Sequence, residues 1–130
     1  MALPPEPVDE LLDYVDAGAM AVVEEILFRG KQEFVPEPDE PDTVDIPRDL
    51  PEQVLTLTIK EVLFGDLVKQ GETIEVFKPP GDYVLRAGVE GPFLLFKEEE
   101  DERPVIAGRY GPDNYSPNVL KTAIKRHNLS

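Results

Sequence analysis

A lone histidine, His127, and a surplus of carboxylates are the residues with which this chain could attempt catalysis. A Ser–His–Asp triad needs an imidazole held between a nucleophile and an orienting acid. His127 stands close to the carboxyl end with no such constellation in the sequence, so a role at a helix terminus is expected for it. Two carboxylates flanking a cleft can hydrolyse a glycosidic bond. With 27 Asp and Glu residues, however, no single pair stands out. Cysteine is absent, which excludes disulfides, thiolate nucleophiles and zinc–thiolate sites. The phosphate-cradling and metalloprotease motifs GxGxxG, GxxxxGKS/T and HExxH are also missing. The expectation is a non-enzymatic chain with no cofactor.

Two groups of residues suit binding better. Glu37, Asp39, Glu40, Asp42 and Asp45 crowd a proline-rich stretch, where their charge would attract a basic partner. They could also collect calcium, but the spacing lacks the sixth-position glycine and terminal glutamate of an EF-hand loop. A solvated acidic loop without a metal is therefore expected. Tyr110 and Tyr115 bracket the turn residues GPDN. Loop aromatics are the usual anchors of a recognition patch; the plainer alternative is that they pin the loop. Tyr83 is a further surface candidate, whereas Phe64, Phe77, Phe93 and Phe96 lie in or beside strands and read as core.

The formal charge of −14, from 27 acids against 13 Lys and Arg, narrows the partners. Nucleic acid is bound by neutralising phosphates with Lys and Arg, so this chain would repel it. An anionic membrane surface is disfavoured for the same reason, and no run of eighteen apolar residues offers a transmembrane helix. A protein partner, basic in character, is favoured; solubility alone is the simpler use of such a charge. The stretch MALPPEPVDE has neither a basic n-region nor an apolar h-region, so no secretory signal is expected and the compartment stays open.

The 130 residues suit a single domain. Residues 1–7, with three prolines, form a flexible lead-in. In VDELLDYVD, Val8, Leu11, Leu12 and Val15 make one helical stripe, with Gly18 as a plausible stop. AMAVVEEILF, 19–28, fits either a helical face or a strand with Met20, Val22, Ile26 and Phe28 on one side. Residues 33–52, EFVPEPDEPDTVDIPRDLPE, hold five prolines and eight acids. They read as a long loop, since proline fixes φ and removes donors.

QVLTLTIKEVLF, 53–64, is the clearest strand: Leu55, Leu57, Ile59, Glu61 and Leu63 alternate with the wetter Thr56 and Thr58. TIEVF, 73–77, follows a glycine turn, and GPFLLFKE and RPVIAGRY supply two more strands around the charged tip Glu98–Glu102. The C-terminal helix, 116–127, is well signed. Ser116 is its N-cap and Pro117 its first residue; Val119, Leu120, Ala123 and Ile124 are its apolar stripe.

Short strands with glycine and proline turns point to an antiparallel barrel or sandwich. The order of TLTIKEVLFGDLVKQGETIEVFKPPG, LRAGVEGPFLLFKE and PVIAGRYGPDNY resembles the bacterial netrin-like domains related to the tissue inhibitors of metalloproteinases. The matching pieces are Val62–Gly65, Gly71–Val76, Leu85–Phe96 and Val105–Tyr110, within roughly residues 19–115. The resemblance implies that 19–28 is a strand, and that the chain is mainly β. It implies a five-stranded OB-like antiparallel barrel with a short N-terminal helix and a C-terminal helix. In it the acidic loop 33–52 is an insertion between the first two strands. It also implies a binding or inhibitory module; zinc-protease inhibition does not carry over, since those inhibitors reach zinc with an N-terminal cysteine. Protein–protein recognition through acidic loops is the leading expectation. An acidic inhibitor or immunity-type protein neutralising a basic partner is the alternative, ahead of a carboxylate-pair hydrolase.

Overall fold

The structure, a computed structural model, describes residues 6–30, 34–36, 45–47, 50–81, 83–98 and 102–128. The elements run α1 (Val8–Leu12), β1 (Ala17–Arg29), β2 (Phe34–Pro36), β3 (Asp45–Pro47), β4 (Gln53–Phe64), β5 (Thr73–Lys78), β6 (Glu90–Lys97), β7 (Pro104–Ala107), a 3-10 turn (Gly111–Asn114) and α2 (Pro117–Arg126). Five of the strands close into a barrel in the order β1-β4-β5-β7-β6, with β6 returning to β1. The chain is thus mainly β, a closed five-stranded barrel carrying one helix near each end. Its ladders are antiparallel except at one seam, where β5 meets β7 in parallel through Phe77 and Val105.

Strand 19–28 is real and longer than expected, but its inward face is the other one. Ala17, Ala19, Ala21 and Val23 are buried, whereas Phe28 is 54% exposed. The reason is that β1 is shared. Residues 17–22 pair with β6 while the whole strand pairs with β4. Where both neighbours close in, only small side chains fit the barrel lumen. Gly18 is therefore no helix stop: a Cβ there would lie 2.6 Å from the Phe64 ring. The helix before it ends at Leu12, short of Val15.

Alternation in β4 holds from Leu55 to Ile59 and then breaks. Glu61 is exposed, Leu63 only half-buried and Phe64 buried. The pairing with β1 skips Lys60 between Met20 and Ala21, and Leu63 between Gly18 and Ala19. Each extra residue in a ladder bends its strand and shifts its phase. Here the bends carry Phe64 out of the barrel lumen and onto its underside.

Two apolar clusters result. Leu55, Leu57, Ile59, Val76, Phe93 and Leu95 meet the β1 alanines inside the barrel. Leu11, Phe64, Leu94, Tyr115, Leu120 and Ile124 make a second layer between barrel and helices. β6 serves both, Phe93 and Leu95 pointing one way and Leu94 the other, which is why PFLL reads as an unbroken apolar run. In α2 the Ser116 hydroxyl accepts from the Val119 amide at 3.2 Å, as its position suggested. Val119 itself faces outward, 54% exposed, so the buried stripe is Leu120, Ala123 and Ile124.

The acidic proline segment is not a plain loop. β2 and β3 form a two-stranded antiparallel ribbon apart from the barrel, Phe34 facing Pro47 and Pro36 facing Asp45. Proline keeps such strands short and out of a central ladder. No helix among the described residues is long and apolar enough to cross a membrane.

Candidate functional site

The residues singled out for partner binding fall in different settings. Asp45 opens β3; Glu37, Asp39, Glu40 and Asp42 lie outside the described residues. Tyr110 and Tyr115 flank the 3-10 turn Gly111–Asn114, as their spacing implied. Tyr110 is half-buried, but Tyr115 is only 8% exposed and belongs to the layer beneath the barrel. Burial pushes its phenol far above the ordinary range. Of the two, only Tyr110 offers surface to a partner; Tyr115 is a core residue because the turn folds its ring back under β6.

His127 terminates α2, its amide donating to Ala123 at 3.0 Å. Its ring Nε2 also lies 2.8 Å from the Asp9 carboxylate, which accepts two hydrogen bonds from Arg126 at 2.8 and 3.0 Å. The bond to the imidazole and the Arg126 guanidinium hold the Asp9 carboxyl below its ordinary value. This cluster joins α1 to α2 at the surface. Among the described residues, no three acid or imidazole groups converge in the manner of metal ligands.

A groove of about 330 Å³ lies beside the α1 segment. Glu6 and Tyr14 line one side and Pro79, Pro80, Gly81 and Tyr83 the other, together with Phe96, Ile106 and Ala107. Both walls are held by buried polar side chains. Asn114 grips the chain at Glu6, its Nδ2 donating to the Glu6 carbonyl at 2.8 Å and its Oδ1 accepting from the amide at 3.2 Å. Gln53 grips Leu85 the same way, at 2.9 and 2.8 Å, so each amide side chain stands in for a neighbouring strand. Lys78, fully buried, donates to the carbonyls of Pro79 and Tyr83 at 2.8 and 2.7 Å. Its ammonium sits 4.8 Å from the Tyr83 ring centroid. A buried lysine is tolerable only when its donors are met, and here it fastens the turn that makes the wall.

Tyr83 lies against Gly111, whose φ is +58° and whose added Cβ would come 2.8 Å from the phenol oxygen. That oxygen is enclosed and has no hydrogen-bond partner among the described residues. Burial raises its pKa well above the ordinary phenol value, so it stays protonated and able to donate. On the opposite wall, Tyr14 is 49% exposed and packs edge-to-face with Phe96, ring centroids 5.7 Å apart. Its pKa is raised by partial burial and by the Glu6 carboxylate. Asp16 fastens this wall to β6, accepting from the Lys97 amide at 2.7 Å.

Sequence reasoning did not find this groove. Tyr83 read as a surface aromatic and Phe96 as core, while Tyr14 fell outside the apolar stripe of its helical segment. Nothing in the string KPPGDYV marks its lysine as buried. No protein-family model matches the chain, and comparisons with curated proteins and with solved structures found no match.

Proposed function

We propose that this chain is a non-catalytic binding module that recognises a protein of basic character through its acidic surface, on an OB-type frame of netrin-like kind. The closed five-stranded barrel with flanking helices supports that frame. The observation that carries the binding reading is the charge: −14 overall, with Glu10, Asp13 and Asp16 exposed together around α1. The proline-spaced acids Glu37 to Asp45 belong to the same charge excess in the sequence. Carboxylates so gathered repel one another, a cost that a cationic partner would relieve.

Binding driven in this way weakens steeply with ionic strength, because exposed charges are screened within about 10 Å at 0.1 M salt. The test is titration of a small basic protein at several salt concentrations, using the intact chain and one lacking residues 36–51. Affinity that falls with salt and drops on deletion supports the reading. Affinity unchanged between low and high salt overturns it. An inhibitor or immunity-type role is the variant of this reading in which binding silences a basic enzyme. It is distinguished by loss of that enzyme's turnover at stoichiometric addition.

A further inference from the structure

We propose that the groove lined by Tyr14, Pro79, Pro80, Gly81 and Tyr83 is a binding site for an extended peptide segment carrying an arginine. The inference rests on the protein-binding reading above and gives it a place and a ligand chemistry separate from the acidic ribbon. Three observations carry it.

The first is the aromatic surface. Tyr14 presents half of its area to solvent and is steadied edge-on by Phe96, while Tyr83 forms the opposite wall. A planar guanidinium stacks on such rings and is weakly hydrated, so it loses little on leaving water. Lys78 already occupies the Tyr83 ring at 4.8 Å, so Tyr14 is the ring that an incoming guanidinium would stack on.

The second is charge. Glu6 lines the same groove as the exposed Tyr14 ring, which puts a carboxylate-bearing residue at the site. Glu10 and Asp13, both exposed, precede Tyr14 in the same segment and add to the negative charge there. Arginine is the side chain that can stack on Tyr14 and fork onto a carboxylate at once. Arg109 also lines the groove, but it is already engaged within the chain.

The third is preorganisation. Asn114 fixes Glu6, Gln53 fixes Leu85, and Lys78 fixes the turn between them. Both walls therefore exist before a ligand arrives, so little ordering cost opposes binding.

The experiment is titration of the full chain with a blocked five-residue peptide holding a central arginine. Its glutamine and glutamate counterparts are run beside it, with binding followed by tyrosine fluorescence and amide chemical shifts. The arginine peptide is expected to saturate, to shift resonances of Tyr14, Tyr83 and Phe96, and to bind about tenfold or more tightly than the glutamine peptide. Tyr14→Ala and Glu6→Gln are each expected to weaken it about five- to tenfold, the range of a partly desolvated cation–aromatic or charged contact. Glu6→Gln leaves intact the backbone that Asn114 grips. Glu61→Gln, which removes a charge on β4 outside the groove, is the control and should leave affinity unchanged.

Equal binding of the arginine and glutamine peptides, preference for the glutamate peptide, or an equal loss in Glu61→Gln and Glu6→Gln overturns the inference. If the arginine peptide fails to bind while salt-dependent binding of a basic protein persists, the groove assignment falls and the module reading stands. If both are absent, both fall.

Discussion

Inside the barrel, Leu55, Leu57, Ile59 and Phe93 meet the small side chains of Ala17, Ala19 and Ala21. Beneath it, Leu11, Leu120 and Ile124 meet Phe64 and Leu94. The first cluster is enclosed by strands on every side and is almost wholly apolar. The second is assembled from segments near both ends of the described chain, and polar bonds at its rim keep them there: Asn114 to Glu6, and Asp9 to Arg126 and His127. In the closed ladder each strand is tied to two others by backbone bonds, and a side-chain clamp is used where Gln53 holds the loop residue Leu85. Two short helices laid on a barrel have no ladder, so side chains must supply the tie. The groove beside α1 lies where these two kinds of construction meet.

That contrast predicts a graded set of outcomes. Truncating the barrel core, as in Phe93→Ala, should cost about 3–5 kcal/mol and lower the whole unfolding transition. A transition left where it was would show that the barrel is not the stabilising unit. Gln53→Ala exposes the Leu85 amide and carbonyl to an interior without partners, at about 1–3 kcal/mol for each group left bare. Its local mark should be faster amide exchange at Leu85 and altered Tyr83 resonances, with the layer under the barrel undisturbed.

Gly18→Ala strikes the junction, since its Cβ would press on Phe64. We expect about 1–3 kcal/mol from overpacking, partly recovered by pairing it with Phe64→Leu. Additive losses in that double variant would disprove the clash.

The smallest effect belongs to the Asp9 cluster. Its carboxyl pKa is depressed in the folded chain, so its contribution is present above the ordinary carboxylate value near 4 and is lost as pH falls through the folded value. Acid should therefore loosen α1 from α2 before the barrel opens, seen as faster exchange in α2 amides. Asp9→Asn should remove that acid sensitivity and leave barrel amides protected. If the acid response of α2 survives Asp9→Asn, another carboxylate is responsible.

Much of the barrel was readable because strand alternation and turn residues are local. The β4 threonines and leucines, the Ser116–Pro117 helix start and the unbroken PFLL run each carry their environment in their neighbours. The inward face of β1 was not readable. Met20 and Val22 look more core-like than Ala17, Ala19 and Ala21, and only the approach of β4 and β6 from both sides makes small residues the ones that fit. Likewise, the turn residues of PVIAGRYGPDNY placed Tyr115 on a loop but could not show its ring folding under β6.

The sequence by itself determined a mainly β chain, its principal strands, the cap of its last helix and its acidic character, because these depend on residue type and short-range spacing. The tertiary structure alone decided which face of β1 points inward, that Lys78 is enclosed, and that Glu6, Tyr14, Tyr83 and Phe96 line one groove. Those residues are separated by up to ninety positions, and their meeting depends on ladder register, bulges and barrel closure rather than on anything adjacent to them in the chain.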